Sequence, residues 1–210
     1  MLKKRLLERM IEEIEKGFKL DDSVKKAFAS IDRELFVPLV FRHLAYQLDA
    51  LPLSDNQWIS SPLTVAKMTQ YLEMDGVDSV LEIGCGSGYQ AAILSKMCRR
   101  VFTIERINDL LREAKNRFSE LEIHNIFTRF EDGQLGWKDY APYDRILFSA
   151  TAQKIPDVIF DQLNEGGILV APLQQGSLQI LTRFYKIGGK ITSEALEQCL
   201  FVPILDGRQR

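Results

Sequence analysis

Two histidines and three cysteines are all that 210 residues offer for soft metal ligation or thiol chemistry. His43 and His124 stand alone, so a zinc or iron centre has little to build on. Cys85, Cys98 and Cys199 make neither a C-x-x-C pair nor a disulfide framework, which points to reduced, mostly buried thiols. Excess positive charge is also missing: 27 Lys and Arg face 29 Asp and Glu, for a net charge of −2 and a pI near 5.8. A nucleic-acid partner, which needs a basic footprint, is therefore not expected. No apolar run approaches the ~20 residues of a membrane span. The N-terminal Met1-Leu-Lys-Lys-Arg5 continues into Glu8, Arg9, Glu12, Glu13 and Glu15, an amphipathic helix rather than an export leader, so a cytoplasmic protein is expected. Repeats and low-complexity tracts are absent. What remains is an ordinary globular composition, 46% hydrophobic and 27% charged, expected to form one domain, residues 1–210, and to act as a monomer.

Leu2, Leu6, Met10, Ile14 and Phe18 recur at helical spacing, with Gly17 near the end of the pattern. Asp21 or Asp22 suits the cap of a second helix whose apolar face carries Val24, Ala27, Phe28 and Ile31. After a loop-rich stretch from Phe36-Val-Pro38 to Pro62, a helix is expected over 63–72. From Ser79 the pattern alternates: strand 79–83, helix 89–97, strand 101–104, helix 108–121, strands 126–130 and 145–149, helix 156–163, then Gly166-Gly167 and strand 168–172. Strands separated by helices predict a doubly wound, mostly parallel α/β sheet. The chain ends on two expected strands, 178–187 and 200–204, joined through a turn at Gly188-Gly189. Residues 1–76 thus form an N-terminal helical extension, 77–175 the ligand-binding core and 176–210 an antiparallel C-terminal strand pair.

Val80-Leu-Glu-Ile-Gly-Cys-Gly-Ser-Gly-Tyr89 carries the most information. An apolar strand ends in Gly84, Gly86 and Gly88, a turn that lets backbone approach a ligand. The spacing is G-x-G-x-G, not the G-x-G-x-x-G of dinucleotide binding. Glu82, two residues ahead of the first glycine, suits a cationic ligand better than a phosphate. Glu105 ends the next strand, 21 positions after Gly84, where a nucleotide fold holds ribose hydroxyls. Glu82–Gly88, Glu105, Glu131-Asp132-Gly133 and Ser149–Ala152 all fall at carboxyl ends of strands, in one crevice.

The glycine turn with its two acids resembles the first motif of S-adenosylmethionine-dependent methyltransferases, with a Rossmann-like fold. The flanks are more discriminating: Arg33-Glu-Leu-Phe-Val-Pro38, Ala45-Tyr46, Leu51-Pro-Leu53 and Gln57-Trp-Ile-Ser-Ser-Pro62 before it; Thr103-Ile-Glu-Arg106, Asp132-Gly133, Gly136-Trp137, Ala141-Pro-Tyr-Asp144 and Phe201-Val-Pro203 after it. Their order resembles the protein-L-isoaspartate O-methyltransferase family from about residue 17 to residue 207. The resemblance implies methylation of the α-carboxylate of L-isoaspartyl residues in damaged proteins and peptides, with S-adenosyl-L-homocysteine as product. It further implies that Glu82, Gly84, Cys85, Gly86, Ser87 and Gly88 shape the methionine end of the cofactor site. Glu105, with Arg106 beside it, takes the ribose, and Asp132 with Gly133 lies at the adenine amine. Ser60 is the active-site serine, and Ile59 and Phe201-Val202-Pro203 hold the isoaspartyl backbone.

The chain departs from the family pattern where Asn56-Gln57-Trp58 replaces Gly-Gln-Thr. Asn tolerates left-handed backbone, so the turn is expected to survive. Trp58 is larger than threonine and alters the substrate mouth; it and Trp137 are read as packing residues. Cys85 stands where threonine is frequent and is read as a size-conserving swap, not a nucleophile. Duller readings stand beside the functional ones: Ser60 could cap the helix at Pro62, Asp132 could serve a turn, Asp144 is read as structural, and 201–203 could be a last strand and its stop. The alternative functions are another methyltransferase acting on a nucleic-acid base or small metabolite, a non-catalytic cofactor-binding homologue, and a nicotinamide-dependent oxidoreductase.

Overall fold

A computed structural model describes residues 2–209. The N-terminal extension comprises helices α1 (Leu2–Gly17) and α2 (Asp22–Ser30), two short 3-10 turns, strands β1 (Leu51–Pro52) and β2 (Trp58–Ile59), and helix α3 (Pro62–Tyr71). The core alternates β3 (Ser79–Ile83), α4 (Tyr89–Leu94), β4 (Arg100–Glu105), α5 (Asn108–Glu120), β5 (Ile126–Phe130), β6 (Tyr143–Phe148), α6 (Asp157–Asp161) and β7 (Leu163–Gln175). It closes on β8 (Leu178–Ile187) and β9 (Lys190–Cys199).

Seven strands form one sheet in the order β5-β4-β3-β6-β7-β8-β9. The first five run parallel, and β8 and β9 add antiparallel. The expected fold class is therefore the observed one. Every residue of β3 is buried, as befits a central parallel strand covered on both faces. One apolar cluster joins the N-terminal helices and α4 to one face of the sheet. A second, around Phe102, Tyr143, Phe148 and Ile159, covers the other. The chain moves outward from β3 in opposite directions, to β4 and to β6, so the crevice for a ligand opens beyond the carboxyl ends of these strands.

Four differences from the sequence reading have local causes. The buried stripe of α1 is Leu7, Met10, Ile11 and Ile14, with Leu6 at its edge; the side chain of Leu2 lies outside the described part. Helix α4 stops at Leu94 rather than at 97, where the Ser95 hydroxyl turns back to donate to the Ala92 carbonyl (2.7 Å). Strand β7 runs through Gly166-Gly167 instead of starting after them, because Leu163 already pairs with Tyr143 of β6, a register shift before Arg145 takes up the extra residues, and Gly166 absorbs a kink at φ +74°. The last strand is 190–199, not 200–204. Gly188 and Gly189 (φ +59° and +71°) make a tight hairpin that sends the chain straight back along β8. Residues 200–209 leave the sheet and cross the strand ends.

Candidate active site

The glycine turn leaves β3 in left-handed backbone, with φ of +96°, +52° and +87° at Gly84, Gly86 and Gly88. At Gly86 a side chain would meet open space; at Gly88 a Cβ would lie 2.6 Å from the Phe118 ring. Gly86 thus presents bare backbone to a ligand, while Gly88 is required by packing of α4 on α5. Glu105, at the end of β4, fixes the turn: its Oε2 accepts from the Gly86 amide (2.8 Å) and its Oε1 from the Ile107 amide (2.9 Å).

Glu82 is fully buried on β3, opposite Thr103 of β4. Its Oε2 accepts from the Thr103 hydroxyl (2.6 Å), and its Oε1 has no partner. Burial, reinforced by the charge of Glu105, pushes the Glu82 carboxyl up to about 8 against the pull of the Thr103 hydrogen bond. Burial also raises Glu105, partly offset by its backbone amides. Among the described residues neither carboxylate has a salt-bridge partner. Two buried acids without a salt-bridge partner, one with an orphaned oxygen, make a wall that a cation would complete. Burial first, then these two acids, also hold the Cys85 thiol far above its usual range, so it stays neutral, as its reading as a non-nucleophile requires.

Ser60 follows β2. Ser61, not Ser60, caps α3: its hydroxyl accepts from the Thr64 amide (3.1 Å), with Pro62 at the first turn. The capping role considered for Ser60 is thus filled by its neighbour. Among the described residues the Ser60 hydroxyl makes no hydrogen bond, and its carbonyl accepts from Arg33 Nη2 (3.0 Å). Arg33 is completely buried and also donates to the carbonyls of Ala45 (2.7 Å) and Asp49 (3.0 Å). One guanidinium fork thereby pins three loop segments around the serine. Asp55 and Asn56 (φ +55° and +56°) form the tip of the β1–β2 hairpin, closed by the Gln57 amide on the Ser54 carbonyl (3.0 Å). The left-handed turn survives with Asn, as expected.

These parts meet. A single cleft is walled by Ile59 and Ser60, by Glu82, Gly84, Cys85, Gly86 and Ser87, by Glu105 and Arg106, by Gly133, and by Phe201, Val202 and Pro203. Two expected residues stand outside it. Gly88 lies behind the turn, against Phe118. Asp132 spends its oxygens on the amides of Gln134 (3.0 Å) and Gly207 (2.8 Å), one residue behind Gly133. Ser149 and Ala150, expected at the crevice, line it, whereas sequence reasoning missed Gln57, Tyr89, Gln90, Ile104, Ile107 and Leu205. Ser149 was legible as the end of β6; for Tyr89 and Gln90 the sequence signals only a helix. Trp58, read as packing, lines the mouth and is 53% exposed.

The family model of protein-L-isoaspartate(D-aspartate) O-methyltransferases matches residues 3–209. The chain belongs to this family. A Helicobacter pylori (strain G27) protein-L-isoaspartate O-methyltransferase is 58% identical over 201 residues, 95% of this chain and 96% of the relative. That of Maricaulis maris is 47% identical over 90% of this chain and 89% of the relative. A solved protein-L-isoaspartate O-methyltransferase superposes with a TM-score of 0.85 at 26% identity, covering 94% of this chain and 65% of that one. A Plasmodium falciparum protein assigned to the same activity, in complex with S-adenosyl-L-homocysteine, superposes with a TM-score of 0.83 at 22% identity and shares the fold across 97% of this chain.

Within this methyltransferase the C-terminal segment 200–209 is part of the site. The Thr151 amide donates to the Val202 carbonyl, and the Ile204 amide to the Thr151 carbonyl (both 2.8 Å). Arg106 donates to the Gly207 carbonyl (3.0 Å), and Gln209 reaches Asp55 on the hairpin tip (3.0 Å). Residues 201–203 are therefore a strap across the cleft, not a terminal strand. Among the described residues no helix is long and apolar enough to cross a membrane.

Proposed function

We propose that the chain transfers a methyl group from S-adenosyl-L-methionine to the α-carboxylate of L-isoaspartyl residues in proteins and peptides, leaving S-adenosyl-L-homocysteine. The observation that carries this reading is the placement of Ser60: an uncommitted hydroxyl, held through its own backbone by Arg33, in the same cleft as two buried acids, Glu82 and Glu105, that make no salt bridge among the described residues. The cleft suits the cofactor, which carries a sulfonium and an amine and no phosphate. Glu82 offers its orphaned oxygen to positive charge. Glu105 has a lone pair left on each oxygen for the ribose hydroxyls. Gly84 and Gly86 would let the backbone lie against the methionine end, and Gly133, with Asp132 behind it, would take the base.

When bound, the cofactor supplies an activated methyl group on a good leaving group. A substrate carboxylate ordinarily titrates near pH ~4 and is already ionised at neutral pH, so the protein needs no general base. Its work is alignment and exclusion of water, which in favourable cases is worth about 7–11 kcal/mol. Ser60 donates to the attacking carboxylate and fixes its angle; Ile59 and the 201–203 strap hold the isoaspartyl backbone over it. Ser60 is not a nucleophile, since neither histidine lines the cleft to take its proton.

Free thiols at Cys85, Cys98 and Cys199 support a reducing, cytoplasmic setting. The near-balanced charge supports a peptide rather than a nucleic-acid substrate, and we place the activity in a monomer. The test supplies methyl-labelled cofactor with an isoaspartyl peptide and its normal aspartyl twin. Base-labile label on the first peptide alone is expected. Equal label on both, or on neither, removes the reading in favour of another substrate or a binding role.

A further inference from the structure

Trp58 pairs through its backbone with Pro52 of β1, but its side chain is left half exposed. Among the described residues its indole makes no hydrogen bond and no ring–ring contact, whereas Trp137 packs edge-on against Phe102 and Tyr140 (5.7 and 5.2 Å between centroids). Trp58 is 53% exposed beside Ile59, which is 3% exposed, and both line the cleft with Ser60. Side chains alternate along extended chain, so Trp58 and Ser60 share a side, two residues or ~7 Å apart. The same cleft is lined, from the C-terminal segment, by Leu205, which is 50% exposed. The Gln209–Asp55 hydrogen bond ties that strap to the hairpin carrying Trp58, so indole and leucine belong to one rim. Neither side chain is charged. A half-exposed indole at the mouth of a substrate cleft is the kind of anchor that gains from covering by an apolar group.

We propose that Trp58 and Leu205 form a side-chain subsite that makes the enzyme select isoaspartyl peptides bearing a leucine or phenylalanine within two residues of the isoaspartate. The inference rests on the isoaspartyl reading above. With the reacting carboxylate on Ser60, ~7 Å of extended peptide spans about two residues, which brings a neighbouring side chain within reach of the indole. The subsite is continuous with the catalytic cleft, and its occupant belongs to the same substrate chain.

The test uses isoaspartyl peptides identical except for Leu, Phe or Ser at each of the two positions on either side of the bend. kcat/KM is measured with the wild type, Trp58→Ser and Trp58→Phe. At one or more positions the wild type is expected to prefer Leu or Phe over Ser by about 5- to 50-fold, the range of a hydrophobic pocket. Trp58→Ser should bring that ratio close to one, and Trp58→Phe should keep most of it. The ratio is taken within each protein, so a general loss of folding or cofactor binding cancels. A ratio near one at every position in the wild type, or an undiminished ratio in Trp58→Ser, overturns the subsite. Failure of the isoaspartyl reading looks different: the wild type then methylates no peptide of the set, and the subsite falls with it.

Discussion

Glu82 shows how much of the site resides in single residues. A carboxyl driven from its ordinary 4.5 to about 8 by burial stays protonated in the fold while the unfolded chain ionises. The folded state therefore binds more protons across that window, and stability falls as pH rises from 4.5 toward about 8. Glu82→Gln removes this titration, so its stability should gain on the wild type as pH rises across the window, read from urea unfolding of the cofactor-free protein; a pH-independent difference contradicts the assignment. A cation at the orphaned oxygen favours the ionised form and pulls the pKa down. Cofactor binding near pH ~7 should thus release a proton, visible as a dependence of binding heat on the buffer's ionisation enthalpy. Arg33 plays the complementary part: burial lowers its guanidinium to about 10, still cationic at neutral pH, and that charge is spent on three carbonyls.

At the scale of elements, the sheet depends on how strands begin as well as on how they end. Asp144, on β6, accepts from the amides of Asp78 (2.9 Å) and Ser79 (3.1 Å) at the start of β3 and from the Asn164 side chain on β7 (3.1 Å). Burial alone would raise its pKa, but these hydrogen bonds outweigh it and hold it below 3.8. Its contribution is present above the unfolded pKa and is lost as pH falls through the folded one. Asp144→Ala, which strands these donors, should cost about 2 kcal/mol or more at neutral pH, and the gap should narrow in acid; a gap that widens there contradicts the assignment. The elements were largely legible in the sequence because β3, β4 and β7 each carry a mostly apolar, buried run and turn residues separate the strands. Strand β9, Lys-Ile-Thr-Ser-Glu-Ala-Leu-Glu-Gln-Cys, was not: an edge strand with most of its residues exposed lacks the alternation that marks a half-buried one. Residues 201–203 were expected in the site, but their expected conformation, a strand over 200–204, was wrong for a related reason, since the segment's hydrogen bonds run to Thr151, Arg106 and Asp55, partners distant in the chain. In the site, the glycine turn and its acids were legible because backbone freedom and charge sit at short spacing. The Arg33 network and the exposure of Trp58 were not, because each depends on what the loops pack against.

For the whole molecule, the decisive fact is convergence. The hairpin at 51–59, the carboxyl ends of β3, β4 and β6, and the strap at 200–209 come from opposite ends of the chain and enclose one cleft. The acidic wall proposed to hold the cofactor and the serine proposed to hold the substrate are thus separate in sequence and share one cleft, and they should be separable by mutation. The most direct measurement is Ser60→Ala, with turnover on an isoaspartyl peptide set against the calorimetric Kd for S-adenosyl-L-homocysteine. The expected result is a kcat lower by about 10- to 100-fold, the worth of one hydrogen bond to a charged group, with Kd within about two-fold of wild type. Equal losses in turnover and cofactor affinity, or an unchanged kcat, would contradict the role given to Ser60.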